Sequence, residues 1–174
     1  MKKLRSMKNI FLIGMPSSGK STLGKRLARQ LGYRFIDTDK LIVKEEGKSI
    51  NEIFRLHGES YFRAVESRVL RAIRPESSLV VATGGGMPCF NENMAYIKTA
   101  GTSIFLDVPV EELVNRMQQH GQNDRPLFNH QDPALLESLR QRYQDRRPFY
   151  EQADLTVAGE VESTHLLNQL GARR

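Results

Sequence analysis

The stretch NIFLIGMPSSGKSTLGKRLARQLG, residues 9–32, decides the fold. NIFLIG (9–14) is an apolar run and reads as a strand buried on both faces. An amphipathic pattern from Lys20 to Leu31 predicts a helix, stopped by Gly32. Between them GMPSSGKS (14–21) matches G-x-x-x-x-G-K-[ST] at every fixed position, in the strand–loop–helix frame that the pattern requires. Gly14 and Gly19 let the backbone curl so that its N–H groups point inward at phosphate oxygens. The helix N-terminus behind them adds partial positive charge. Lys20 can reach β- and γ-phosphates, and the Ser21 hydroxyl can ligate Mg2+. Gly14, Ser17, Ser18, Gly19, Lys20, Ser21 and Thr22 therefore form a candidate site for a nucleoside triphosphate such as ATP.

Outward from this unit, apolar runs alternate with amphipathic stretches, as in an α/β protein with a mainly parallel sheet. Further strands are expected at 34–37, 78–83, 102–108 and near LTVAG (155–159). Helices are expected at about 39–46, 49–56, 59–73 and 91–99, from Pro109 onward, at 133–146, and at 161–170. The expectation is a three-layer fold, with a five-stranded parallel sheet flanked by helices, in a single domain spanning 1–174 (core about 9–172). HGQNDRPLFNHQD (120–132) is polar, holds Gly and Pro, and is long for a plain connection, so it reads as a mobile lid.

Bulk composition narrows the class. The 174 residues are 39% hydrophobic and 26% charged, within the range of soluble globular chains. No apolar run is long enough to span a membrane. The start, MKKLRSMKNIFLIGMP, is basic and then apolar, but its apolar part is too short for a signal peptide. The net charge of +6 is spread along the chain and not bunched into an arm, which argues against a nucleic-acid partner. Cys89 is the only cysteine, compatible with a reducing cytoplasm, and reads as a small buried group. A monomer is expected.

FIDTDKLI (35–42) places Asp37 and Asp39 where an apolar run turns polar. An acid there can cap the next helix, hold a metal, or take a proton from a substrate. Many phosphate-loop proteins carry a metal-binding Asp at the end of another buried strand, but LVVATGGG (79–86) has no acid. Asp37 is then the nearest carboxylate by topology to complete a magnesium shell with Ser21. A strand period of two sends Asp37 and Asp39 in similar directions if the extended form persists to 39. Within SINEIFRLHGESYFRAVE (49–66), Arg63 and Glu66 lie three apart on one helical face. Alone they read as a surface ion pair, TGGG as a tight turn, Arg125 as a solvated charge, and RRPFY (146–150) as a helix end before Pro148.

Together, GMPSSGKST, FIDTDKLI, SINEIFRLHGESYFRAVE, VVATGGG, DRPLF and RRPFYEQAD resemble the shikimate kinase family. They occur in family order over nearly the whole chain. The resemblance implies ATP- and Mg2+-dependent phosphorylation of the 3-hydroxyl of shikimate, in the pathway to aromatic amino acids. It implies that Asp39 contacts the acceptor hydroxyls as candidate base, and that Asp37 lies by the magnesium site. Arg63 and Arg146 would clamp the shikimate carboxylate, with Glu66 bracing Arg63. Gly84, Gly85 and Gly86 would lie against the substrate. Phe54 and Phe62, near Arg63 in sequence, join the acceptor set, and residues 39–74 form the substrate-binding helices. Arg125 matches the lid arginine that closes over the transferring phosphate, and Arg116 an arginine stacking on adenine. The nucleotide loop has Pro16-Ser17-Ser18 where the family is richer in glycine, and Pro88 follows the glycines unusually closely. A gluconate kinase of the same architecture is the nearest rival. The paired arginines and the triple glycine argue against it.

Overall fold

The computed structural model describes residues 8–120, 132–158 and 163–172. Five strands, β1 (Asn9–Ile13), β2 (Arg34–Asp37), β3 (Leu79–Ala82), β4 (Gly101–Asp107) and β5 (Leu155–Ala158), form one sheet in the order β2-β3-β1-β4-β5. Every pairing is parallel. Seven helices connect and cover it: α1 (Lys20–Leu31), α2 (Thr38–Glu46), α3 (Ile50–Ala72), α4 (Asn93–Ala100), α5 (Val110–His120), α6 (Leu135–Tyr150) and α7 (Ser163–Ala172).

The central strand β1 is buried at every position, as an apolar run between two layers must be. Its alternation sorts the layers. Phe11 and Ile13 pack with Leu70, Ile97, Leu113, Leu139 and Tyr150 on one face. Ile10 and Leu12 pack with Leu23, Leu27 and Leu166 on the other. A smaller cluster of Ile42, Ile53, Phe62, Val65 and Val69 holds α2 against α3. Asn9, fully buried, ties the base of the sheet together. Its side chain donates to Arg74 O at 2.8 Å and accepts from Leu79 N at 3.2 Å.

Helix boundaries follow local chemistry. Gly32 ends α1 and Gly47 ends α2, both left-handed. Ser49 and Glu52 form a capping box at the start of α3. The two helices expected at 49–56 and 59–73 are present within α3, parted where expected by Gly58, whose φ of 82° and ψ of 175° are non-helical.

Two expectations need correction. The helix expected to stop at Arg146 runs on to Tyr150 with Pro148 inside it. Tertiary anchoring outweighs the missing proline N–H. Tyr150 is fully buried and packs on Phe105, with ring centroids 5.0 Å apart. Pro109, expected in the first turn of α5, instead precedes it, and its carbonyl accepts from Leu113 N at 3.1 Å. The lid expected at 120–132 lies, apart from its end residues, outside the described residues, and Arg125 with it. No helix among the described residues is long and apolar enough to cross a membrane.

Candidate active site

A cleft of about 710 Å3 opens at the C-terminal ends of the strands, where an open parallel sheet binds its ligands. Of the site residues expected from sequence and described in the structure, all but Gly14 and Ser18 line it. Those two form the floor of the phosphate loop.

The loop leaves β1 at Gly14, whose φ is 145°. A β-carbon there would also lie 2.8 Å from the Leu106 carbonyl oxygen of β4, so conformation and space both demand glycine. Gly19, at φ 95°, turns the chain into α1. Lys20 is buried, and its Nζ donates to Gly14 O at 2.9 Å and Met15 O at 2.7 Å. From α5, Arg116 donates to Ser17 O at 3.3 Å and is braced by Glu112 at 2.9 Å. It therefore stands on the nucleotide-loop rim.

Asp37 serves two partners at once, the start of α2 and the phosphate loop. Its Oδ1 accepts from Asp39 N at 3.1 Å and Lys40 N at 3.4 Å, capping α2. Its Oδ2 accepts from the Ser21 hydroxyl at 2.9 Å. These two hard oxygen donors fit Mg2+, which takes few protein ligands and completes its shell with water and substrate phosphates. Asp39 does not continue the strand. α2 begins at Thr38, so the extended geometry that would have aligned the two acids is absent. The helical turn instead brings Asp39 to the triple glycine: a β-carbon on Gly84 would lie 2.7 Å from Asp39 Oδ1.

The side of the cleft facing the phosphate loop is built around two buried arginines. Arg63 donates through Nη1 to Glu66 Oε2 at 2.8 Å and through Nη2 to Glu59 Oε1 at 2.9 Å. Its guanidinium stacks 4.1 Å above the Phe90 ring. Arg63 is 6% and Glu66 1% exposed, which rules out the surface-pair reading. Burial pushes the Glu66 carboxyl up to about 7, against the pull of the Arg63 charge. Burial also opposes the Arg63 charge, but Glu66 and Glu59 outweigh it and hold its pKa above the ordinary value. Arg146, on α6, is 5% exposed, and its Nη1 has no hydrogen-bond partner among the described residues. A buried donor of that kind is suited to an incoming anion.

Each glycine of Gly84-Gly85-Gly86 makes room for side chains that line the cleft. A β-carbon on Gly85 would lie 2.8 Å from Pro16 Cδ and 3.0 Å from Arg146 Nη1; one on Gly86 would lie 2.5 Å from Arg63 Nη1. None of the three has a left-handed φ, so space, and not backbone freedom, requires glycine here. Pro16, a departure from the family pattern, thus packs against the middle glycine. Pro88 sits early in a short 3-10 turn (Met87–Cys89), a position that accommodates proline.

Four contributors escaped the sequence reading. Phe90 stacks on Arg63, and Glu59 braces it. Tyr150 donates to Gly85 O at 2.5 Å, and Thr38 accepts from Gly84 N at 2.9 Å. A signal existed for Tyr150, which lies one helical turn after Arg146 on the same face. Cys89 is partly buried against the core, and burial raises its thiol to about 11, which disfavours the thiolate.

A phosphate-binding loop facing two buried arginines and a carboxylate across one cleft defines a P-loop kinase for a small anionic acceptor. The family model for shikimate kinase matches residues 16–170. A shikimate kinase from Clostridium botulinum (strain 657 / Type Ba4) is 48% identical over 151 residues, 87% of each chain. One from Persephonella marina is 42% identical over 168 residues, covering 96% of this chain and 99% of the relative. A solved structure of shikimate kinase from Acinetobacter baumannii in complex with shikimate superposes with a TM-score of 0.88 at 31% identity, covering 97% of this chain and 95% of that one. The chain belongs to the shikimate kinase family.

Proposed function

We propose that this protein transfers the γ-phosphoryl group of ATP to the 3-hydroxyl of shikimate, giving shikimate 3-phosphate and ADP. The observation that carries the reading is the pair Arg63 and Arg146, both buried, each pressed against one glycine of the triple-glycine loop within the same cleft as Lys20. Two planar, buried guanidinium groups match a carboxylate better than ammonium groups would.

The phosphate loop holds the triphosphate with backbone N–H groups between Ser17 and Thr22, and Lys20 leaves its carbonyl partners for the β- and γ-phosphates. Ser21 and Asp37 would hold Mg2+, which would neutralise charge on the phosphates. Arg63, braced by Glu66, and Arg146 orient the acceptor through its carboxylate. Phe54 and Phe62, 4.8 Å apart, wall the cleft. Asp39 accepts a hydrogen bond from the 3-hydroxyl beside Gly84. As the new O–P bond forms and the bond to ADP breaks, the hydroxyl proton passes to Asp39. The family resemblance assigns the charge of Arg125, outside the described residues, to the transferring group, and Arg116 to the adenine side. The proposal includes one domain working as a cytoplasmic monomer on small molecules, with no nucleic-acid or membrane partner.

Phosphorus NMR of a reaction with ATP, Mg2+ and shikimate tests this. A new monoester signal coupled to the proton on C3, together with ADP, is expected. Inorganic phosphate and ADP alone would reject it.

A further inference from the structure

Thr38 lies between the two acids, and the mechanism above gives it no task. Its side chain is fully buried. Backbone pairing of β2 with β3 ends at Asp37 opposite Ala82. One step beyond, the Thr38 hydroxyl carries the connection on, with Oγ1 accepting from Gly84 N at 2.9 Å. Gly84 is the point on which the acceptor side converges: a β-carbon there would meet Asp39 Oδ1 at 2.7 Å and Glu66 Oε1 at 3.0 Å. On its other flank, Thr38 follows Asp37, which holds Ser21 of the phosphate loop at 2.9 Å. A single residue thus separates the donor-side contact from the acceptor-side contact.

We propose that Thr38 is a positioning residue for phosphoryl transfer: its hydroxyl fixes Gly84, and with it the acceptor side of the cleft, relative to the Asp37–Ser21 pair on the donor side. The inference rests on the shikimate-phosphorylating reading. Without the hydroxyl, the Gly84 N–H is left buried and in need of an acceptor. The carboxylates of Asp39 and Glu66 are close at hand, and Asp39 would be drawn from the acceptor hydroxyl toward the backbone.

Valine reproduces the shape of threonine without the acceptor oxygen, and serine keeps the oxygen without the methyl group. The test is steady-state kinetics of wild type, Thr38→Val and Thr38→Ser with each substrate varied, alongside melting temperatures. Thr38→Val should lower kcat by about tenfold or more, as expected when reacting groups are misplaced by a fraction of an ångström, with KM for ATP little changed. Thr38→Ser should keep a kcat close to wild type, even if it melts earlier. Equal kcat in Thr38→Val and wild type would overturn the inference. So would a parallel fall in both variants that follows their melting temperatures, since that is a packing role. If Thr38→Val fails to fold, Thr38→Ala against Thr38→Ser makes the same comparison, and equal kcat in those two overturns it. A wild type that does not phosphorylate shikimate would instead reject the functional reading itself.

Discussion

Asp37 Oδ2 accepts the hydroxyl proton of Ser21 at 2.9 Å, which ties the end of β2 to the first turn of the phosphate-loop helix α1. The other oxygen of the same carboxylate caps α2. One side chain thus serves the fold and the donor site, and substitution can separate the two roles.

Asparagine caps a helix about as well as aspartate but carries no charge. Asp37→Asn should therefore melt near the wild-type temperature and yet need more Mg2+ for half-maximal activity. Asp37→Ala should lose both functions, at a stability cost of about 1 kcal/mol for the cap. Thermal melts and Mg2+ titrations measure the two effects. A normal Mg2+ requirement in Asp37→Asn would confine Asp37 to capping.

Asp39 stands against Gly84 at the acceptor end of the cleft. Asp39→Asn should lower kcat by roughly 10²–10⁴, the usual contribution of a positioned proton acceptor. ATP affinity, measured by calorimetric titration, should stay near wild type. An equal loss of ATP affinity would place Asp39 on the donor side.

A β-carbon on Gly86 would fall 2.5 Å from Arg63 Nη1. Glu66, Glu59 and Phe90 hold that guanidinium, so it cannot swing away cheaply. Gly86→Ala should raise KM for shikimate by at least about tenfold, some 1.4 kcal/mol of lost binding. KM for ATP should barely move. Gly47→Ala is the control. Gly47 has φ 63° and no atom within 4 Å of its β-position, so alanine there should cost about 1 kcal/mol of stability and leave KM unchanged.

Burial raises Glu66 to about 7, and Arg63, Asp39 and Arg146 are the charged groups that face it. Protonated Glu66 is neutral, so below about pH 7 the two arginines present more net positive charge to an anionic acceptor. An anion bound beside Glu66 in turn favours its protonated form, so binding and proton uptake are coupled. Shikimate, ionised throughout the range, should therefore bind more weakly at pH 8 than at pH 6. Glu66→Gln should flatten the dependence. Calorimetry at both values checks this, and the same pH dependence in Glu66→Gln would assign it to another group.

Much of the architecture was legible because its signals are local. The run 9–32 carries its own strand, loop and helix, and β1, α1 and the C-cap Gly32 occur where the pattern puts them. The triple glycine and both arginines were legible as site residues only through the motif set. Their purpose was not, because the Gly86–Arg63 and Gly85–Arg146 approaches join segments distant in sequence. The condition on which a strand period would align Asp37 and Asp39, extended chain as far as 39, is not met. α2 starts one residue earlier than a strand period allows, fixed by the Asp37 cap and by Thr38 holding Gly84. Pro148 looked like a helix end. What carries α6 past it is the burial of Tyr150 and its bond to Gly85, a contact between segments distant in sequence.

The most direct test of the central claim is a coupled assay of ADP release from ATP and Mg2+, with shikimate, quinate and gluconate supplied in turn. Under the proposed function, shikimate-dependent turnover with a kcat/KM well above that with gluconate is expected, because a clamp of Arg63 and Arg146 with Asp39 and the glycine loop would fit a ring carboxylate bearing hydroxyls better than an open chain. Strong turnover with gluconate and none with shikimate would contradict it.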